Sequence, residues 1–384
     1  MKKTMLAAAL ALALAGLTLA QGAQAQLAVS ANDGKVRMDN GVVKTVPNNP
    51  DTVAIIDLGQ NPPRLIAEID APTSIVGPPT SVAVAPDQSI ALVTANMKLD
   101  TSNPPKQVPD NRMSVIDLTA KPPRVAATVE TGLGPAGVDI NRAGTLALVA
   151  NREEGTVSVY TINKGALAHA GKVDFGNPKS GPSGVSISPD GKTALVSRDG
   201  DSRVSVLSID GSKVEYTKRD IFPGQRPYGI QISSKGDIAV VANIGIGQGD
   251  SDTVSIIDMT LRPPRVIDTF SVGQTPEGIA MSPDGNYIAV ASMNGSNKPA
   301  NSPFYNPLGL LKFYKVEGKK ATFISEVPTG VWTQGIAFSA DGKTLLVQNK
   351  EQNELQVLRV QNDKLVDSGE RIKTKNGGAG IRTR

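Results

Sequence analysis

From Gly181 to Asp210 the chain alternates a large apolar residue with a small one, as in Val185-Ser186-Ile187-Ser188 and Val204-Ser205-Val206. Period-two alternation predicts strands at Val185–Ser188, Thr193–Ser197 and Arg203–Ile209. Small residues where a half-solvated strand would carry charge suit a sheet covered on both faces. The first two strands meet at Ser188-Pro189-Asp190-Gly191, a tight turn in which proline pre-sets φ, aspartate bonds back to the backbone and glycine accepts the exit geometry. One such unit cannot bury both faces alone, so copies of it must stack.

The copies are present. Tyr228–Ser233 leads to Ile238–Asn243 and Thr253–Asp258, Glu277–Gly285 to Tyr287–Ser292, and Gln334–Ser339 to Thr344–Asn349. Upstream, Ala136–Ile140 precedes Leu146–Asn151, and Ser81–Val84 precedes Ile90–Asn96. A glycine before the first strand recurs at Gly137, Gly184, Gly229, Gly278 and Gly335, at intervals of 47, 45, 49 and 57 residues. That period, with four strands in each, predicts propeller blades.

The two ends complete the ring. Leu27–Asn32 resembles a second strand with no first strand before it, and Gly377–Arg382 a first strand with nothing after it. The tail is therefore expected innermost in a blade whose other strands are Leu27–Ala31, Thr52–Leu58 and Arg64–Ile69. The expected fold is all-β: a seven-bladed β-propeller of four-stranded blades over residues 26–384, closed by the C-terminal strand pairing with N-terminal strands. Residues 1–25 stand apart. Lys2-Lys3, the apolar run Met5–Ala20 and Ala23-Gln24-Ala25 read as an export signal cut between Ala25 and Gln26, which implies a periplasmic protein.

Composition removes several function classes. The 384 residues contain no cysteine, so no disulfide or lipoprotein anchor is expected, and no membrane insertion after cleavage. Without Lys2 and Lys3, 38 of the 40 basic side chains remain and nearly balance the 36 acidic ones, which gives no bulk electrostatic argument for nucleic acid or a membrane surface. A monomer is expected. Asn61-Pro62-Pro63-Arg64, Lys121-Pro122-Pro123-Arg124 and Arg262-Pro263-Pro264-Arg265 read as stiffened turns into outermost strands. Three long loops, residues 33–51, 97–111 and 293–308, leave second strands on one face, where binding functions gather.

Gly278–Gly285 with Ile288–Ala291, Gly155–Tyr160 and Asp252–Asp258 resemble the YVTN-type repeat of the lactonase-like and cytochrome-d1-like seven-bladed propellers, of which this would be a bacterial periplasmic member. The resemblance covers essentially the whole mature chain. It implies the fold and leaves function open among sugar lactonases, muconate cyclases, haem-binding modules and non-catalytic periplasmic or surface proteins. In lactonase- and cyclase-like members the residue after the proline opening one first strand is often a histidine. The matching positions here are Ala136, Ser183, Tyr228 and Glu277, and the one histidine, His169, falls on or before an outermost strand. An enzyme would have to rest acid–base chemistry on Glu277 with Arg152, Arg198 or Arg226.

Haem attachment lacks cysteine, a transition-metal site lacks clustered His or Cys, and no cofactor is expected. Calcium at Gly247–Asp252 is the one metal alternative. What remains is the channel mouth, where inner strands begin and second strands end. Arg152, Arg198, Arg226, Tyr228, Asn243, Glu277, Trp332 and Gln334 are expected to converge there as ligand-binding residues. The expectation is a non-catalytic binding or scaffolding module for a small polar ligand or a protein partner. The alternative is a lactonase- or cyclase-like enzyme acting on a lactone or sugar acid. A weaker one is single-stranded nucleic acid or polyanion binding through Trp332 and the arginines.

Overall fold

A computed structural model describes residues 26–384; the export signal expected at residues 1–25, with Ala25 of its cleavage site, lies outside the described residues. Seven four-stranded antiparallel sheets form the structure. Blade one comprises Val82–Val84, Ile90–Asp100, Lys106–Asp117 and Arg124–Glu130; blade two Pro135–Ile140, Leu146–Asn151, Thr156–Asn163 and Ala166–Asp174. Blade three runs through Pro182–Ile187, Thr193–Arg198, Arg203–Asp210 and Lys213–Ile221, and blade four through Pro227–Ile232, Ile238–Asn243, Asp252–Asp258 and Arg265–Gly273. Blade five is Pro276–Met281, Tyr287–Ser292, Leu310–Glu317 and Lys320–Pro328, and blade six Thr333–Phe338, Thr344–Asn349, Glu354–Gln361 and Lys364–Lys373. The closing blade puts Gly377–Thr383 inside Leu27–Asp33, Thr52–Asp57 and Arg64–Asp70, as the sequence predicts.

The apolar-small alternation has the expected consequence: the inner strands of each blade are buried on both faces, while the outermost strands stay largely exposed. Leu148 and Val157 of blade two pack on Val185, Val196 and Leu207 of blade three, while Val29 and Ile55 of the closing blade pack on Val82, Val93 and Ile116 of blade one. Equivalent clusters fill the remaining gaps between neighbouring blades. Each fully buried Val, Leu or Ile contributes roughly 1.5–3 kcal/mol, so the ring is held mainly by these interfaces.

The recurring glycine marks where inner strands crowd the axis. A Cβ on Gly278 would lie 2.3 Å from the Gln334 carbonyl oxygen, and one on Gly184 2.7 Å from that of Tyr228. The same segments carry a bulge against the second strand in blades two to six. A bulge inserts an unpaired residue and re-aims its side chain. Here that includes the residue after the strand's first position: Ser183, Tyr228, Glu277 and Gln334. Further along, the inner strands of blades two to five grip one another, with Asp139 accepting from the Ile187 amide, Ser186 from Ile232 and Gln231 from Met281.

The long loops are more regular than their composition suggests. The first contains a hairpin, Val36–Asp39 with Val42–Thr45, and the second is a hairpin formed by strands that overrun blade one. The third stays a series of turns. It meets the first hairpin where the Ala300 amide donates to Asn40 at 2.8 Å, and the Met38 amide ties that hairpin to Glu351 at 3.0 Å. His169 sits exposed on the outermost strand of blade two, edge-on to Tyr160, as expected.

Candidate active site at the channel mouth

The mouth is organised around Asp199, which follows the second strand of blade three and is almost wholly buried. Arg152 of blade two binds it through two parallel bonds, Nε–Oδ1 at 3.1 Å and Nη2–Oδ2 at 2.6 Å. Arg226, entering blade four, adds Nη2–Oδ2 at 3.2 Å, and the Ser183 hydroxyl donates to Oδ1 at 2.6 Å. Burial would raise this carboxyl, but Arg152, Ser183 and Arg226 hold it below the usual carboxylate range. Both side chains keep part of their surface exposed, 31% and 39%, with Arg226 also donating to the Gly245 carbonyl at 3.3 Å. Two positive groups are thus fixed in direction yet free to meet a ligand.

Beside them the bulges of blades four and five present Tyr228 and Glu277. Burial pushes the Glu277 carboxyl up to about 7, with Asp199 adding to the effect while Gln334, Arg226 and Arg152 oppose it. Its Oε2 and the Gln334 Oε1 are buried without a hydrogen-bond partner. Burial and the charge of Glu277 push the Tyr228 phenol far up, so it is a neutral donor across the working pH range. The backbone here is strained: Arg226, Thr275 and Trp332, each directly preceding an inner strand, have φ of 54°, 53° and 56°. Blades two and three use Gly134 and Gly181 at that place.

The other three expected residues are turned elsewhere. Arg198 lies inside blade three, bonded to Ser205 at 2.9 Å and to Asp201, with its guanidinium over the Phe175 ring. The Asn243 amide holds its own blade together through Thr253 and Ser255. Trp332 is 2% exposed, with the Lys350 ammonium over its ring, so it offers no open face on which to stack a base. Gly247–Asp252 is also engaged: the Lys298 ammonium donates to the Gly247 carbonyl at 2.6 Å, and Asp252 accepts from the Thr275 amide.

Sequence reasoning missed Asp199 as the anchor. It also missed a buried polar cluster between blade six and the closing blade, where Lys350 bonds Asp33 at 3.0 Å and Lys35 bridges Asp33 to Asp51. The repeat itself carried a signal for Lys350, because Asn349-Lys350 matches Asn151-Arg152.

Fold and mouth together define a seven-bladed β-propeller with an arginine-lined polar channel mouth. Residues 112–263 match the family described as lactonase, 7-bladed beta-propeller. Among solved structures, a putative 6-phosphogluconolactonase from Bacteroides fragilis is similar at 17% identity and a TM-score of 0.69, over 94% of this chain and 98% of that one. The periplasmic gluconolactonase of Pseudomonas aeruginosa is similar at 16% identity and a TM-score of 0.67, over 94% and 99%. Hydrazine synthase of Kuenenia stuttgartiensis matches at 20% identity and a TM-score of 0.60, over 79% and 89%. No curated protein matches the chain in sequence.

These findings correct the expectation of a non-catalytic binding or scaffolding module, and with it the weaker polyanion reading. The family matched is a lactonase family, and the mouth holds a carboxyl poised near neutrality beside two arginines, an arrangement a passive scaffold does not require. The enzyme alternative is the one they favour.

Proposed function

We propose that the protein is an exported lactone hydrolase that opens the ring of a sugar-acid lactone at the channel mouth. The observation that carries this reading is Glu277, held near neutrality by burial and faced by two arginines that Asp199 keeps in place. A general base works best when its pKa lies near the operating pH. In the scheme, the Glu277 carboxylate takes a proton from a water molecule as its oxygen attacks the lactone carbonyl carbon. The carbonyl oxygen becomes an oxyanion facing Arg152 and Arg226, with the neutral Tyr228 hydroxyl as a further donor. When the carbonyl re-forms, the bond to the ring oxygen breaks, and that oxygen recovers the proton from Glu277. The product is an open-chain hydroxy acid.

The lactonase family match, and neighbours named for gluconolactone and 6-phosphogluconolactone, support the substrate class. The Lys2-Lys3 and Met5–Ala20 pattern supports export to the periplasm. The test is acid release from glucono-δ-lactone and a panel of other aldonolactones by the mature protein in a pH-stat. Saturable release above the spontaneous rate is expected. Release no faster than the spontaneous rate across the panel refutes the reading.

A further inference from the structure

The far end of the channel, where the inner strands finish, opens into a cavity of about 370 Å³. Its charged lining is Asp139, Arg142, Arg382 and Arg384. Asp139 is committed to the backbone, accepting from the Ile187 amide at 2.8 Å and from its own neighbour Ile140 at 3.0 Å. Arg142 reaches a carbonyl, that of Ser234, only at 3.4 Å. The Arg384 carbonyl is turned to the Gln26 amide at 3.4 Å, while its side chain lines the cavity. Burial, together with repulsion from Arg142 and Arg382, outweighs the attraction of Asp139 and makes the Arg384 charge harder to keep. Three guanidiniums therefore share the lining with a single side-chain carboxylate that the backbone already uses.

We propose that this second mouth binds a small dianionic oxyanion, of the phosphate or dicarboxylate type, at a site separate from the lactone site. The cavity is within the size range of small-ligand sites. Guanidinium forks match the oxygen geometry of phosphate and carboxylate, and desolvation strengthens such pairs. A dianion would neutralise the excess charge of the lining. It would also tie Arg142 of blade two to Arg382 and Arg384 at the end of the chain, past the intervening blade one, and so resist ring opening.

The test is isothermal titration of the full mature protein at low ionic strength, with inorganic phosphate in one arm and succinate in the other. One saturable site for at least one probe is expected, with affinity that falls as NaCl is added. Arg142→Gln, in an exposed turn, and Arg382→Gln should each weaken it about tenfold, the usual scale for one charge-assisted hydrogen bond. Arg142→Gln should leave lactone turnover unchanged. Absence of saturable binding by either probe overturns the proposal. So does binding that survives Arg142→Gln but disappears with Arg152→Gln, since that places the anion at the lactone mouth.

Discussion

Glu277→Gln should remove turnover and stabilise the fold at the same pH, and that pairing is diagnostic. Loss of a positioned general base typically costs about 10²–10⁴ in rate. The stability effect follows from the carboxyl's shift from 4.5 to about 7. A folded-state value above the unfolded one means that, as pH rises through this window, the unfolded chain releases its proton first. Stability is therefore lost between about pH 4.5 and 7, and the whole penalty is present above 7. At about 1.4 kcal/mol per unit, the penalty is on the order of 3 kcal/mol. Glutamine cannot ionise, so the variant should unfold at higher urea concentration than the wild type at pH 8, with the gap closing towards pH 4.5. In the wild type, kcat/KM should rise about tenfold per pH unit up to about 7 and then level off. A urea midpoint gap independent of pH, or a variant that keeps its rate, would refute the assigned ionisation and role together.

Asp199→Asn should reduce kcat/KM about 10- to 100-fold by freeing Arg152 and Arg226, the scale of a lost positioning contact. It should also move the acid limb of the pH profile downward, because Asp199 raises the Glu277 carboxyl, a shift that a purely structural defect would not produce. Thr275→Gly should raise unfolding stability by about 1 kcal/mol in urea titration, since a β-branched residue at φ 53° is strained and glycine is not. Removing residues 377–384 strips the inner strand, with its buried Ala379 and Ile381, from the closing blade. The truncated chain should lose its sharp cooperative melt in calorimetry; an unchanged melt would contradict ring closure by the tail.

The architecture was readable because it repeats: the same strand pair and turn recur, and the unmatched ends at Leu27 and Gly377 account for each other. Side-chain direction at the mouth was readable only in part. Glu277, Tyr228 and Gln334 share the place after the inner strand's first residue, so the blade topology alone brings them to the axis. Arg198 and Asp199 show where that reasoning stops. Successive residues of an extended chain point to opposite sides. Arg198 accordingly turns into its own blade, while Asp199 reaches across the gap to Arg152 and Arg226. That pairing joins three different blades, and no local pattern encodes it. Trp332 eluded the pattern for a related reason: with φ at 56° its ring folds back under Lys350 instead of lining the funnel.

Backbone strain around the ring falls beside the residues that line the mouth. Blades two to six each turn sharply to begin the inner strand, and blades two and three do so with glycine, which takes a left-handed φ without cost. Blades four, five and six make the same turn with Arg226, Thr275 and Trp332, just where Tyr228, Glu277 and Gln334 enter the channel. At Arg226 the side chain does something a glycine cannot, placing its guanidinium on Asp199. Thr275 acts through its backbone, its amide donating to Asp252 and anchoring the turn that leads to Glu277. The ring tolerates this because the inner strands of every blade are buried on both faces, so a cost of about 1–3 kcal/mol per residue is small against those interfaces. In the proposed scheme blades four and five supply Arg226, Tyr228 and Glu277 and blade two supplies Arg152, while Asp199 of blade three is the anchor that aims both arginines.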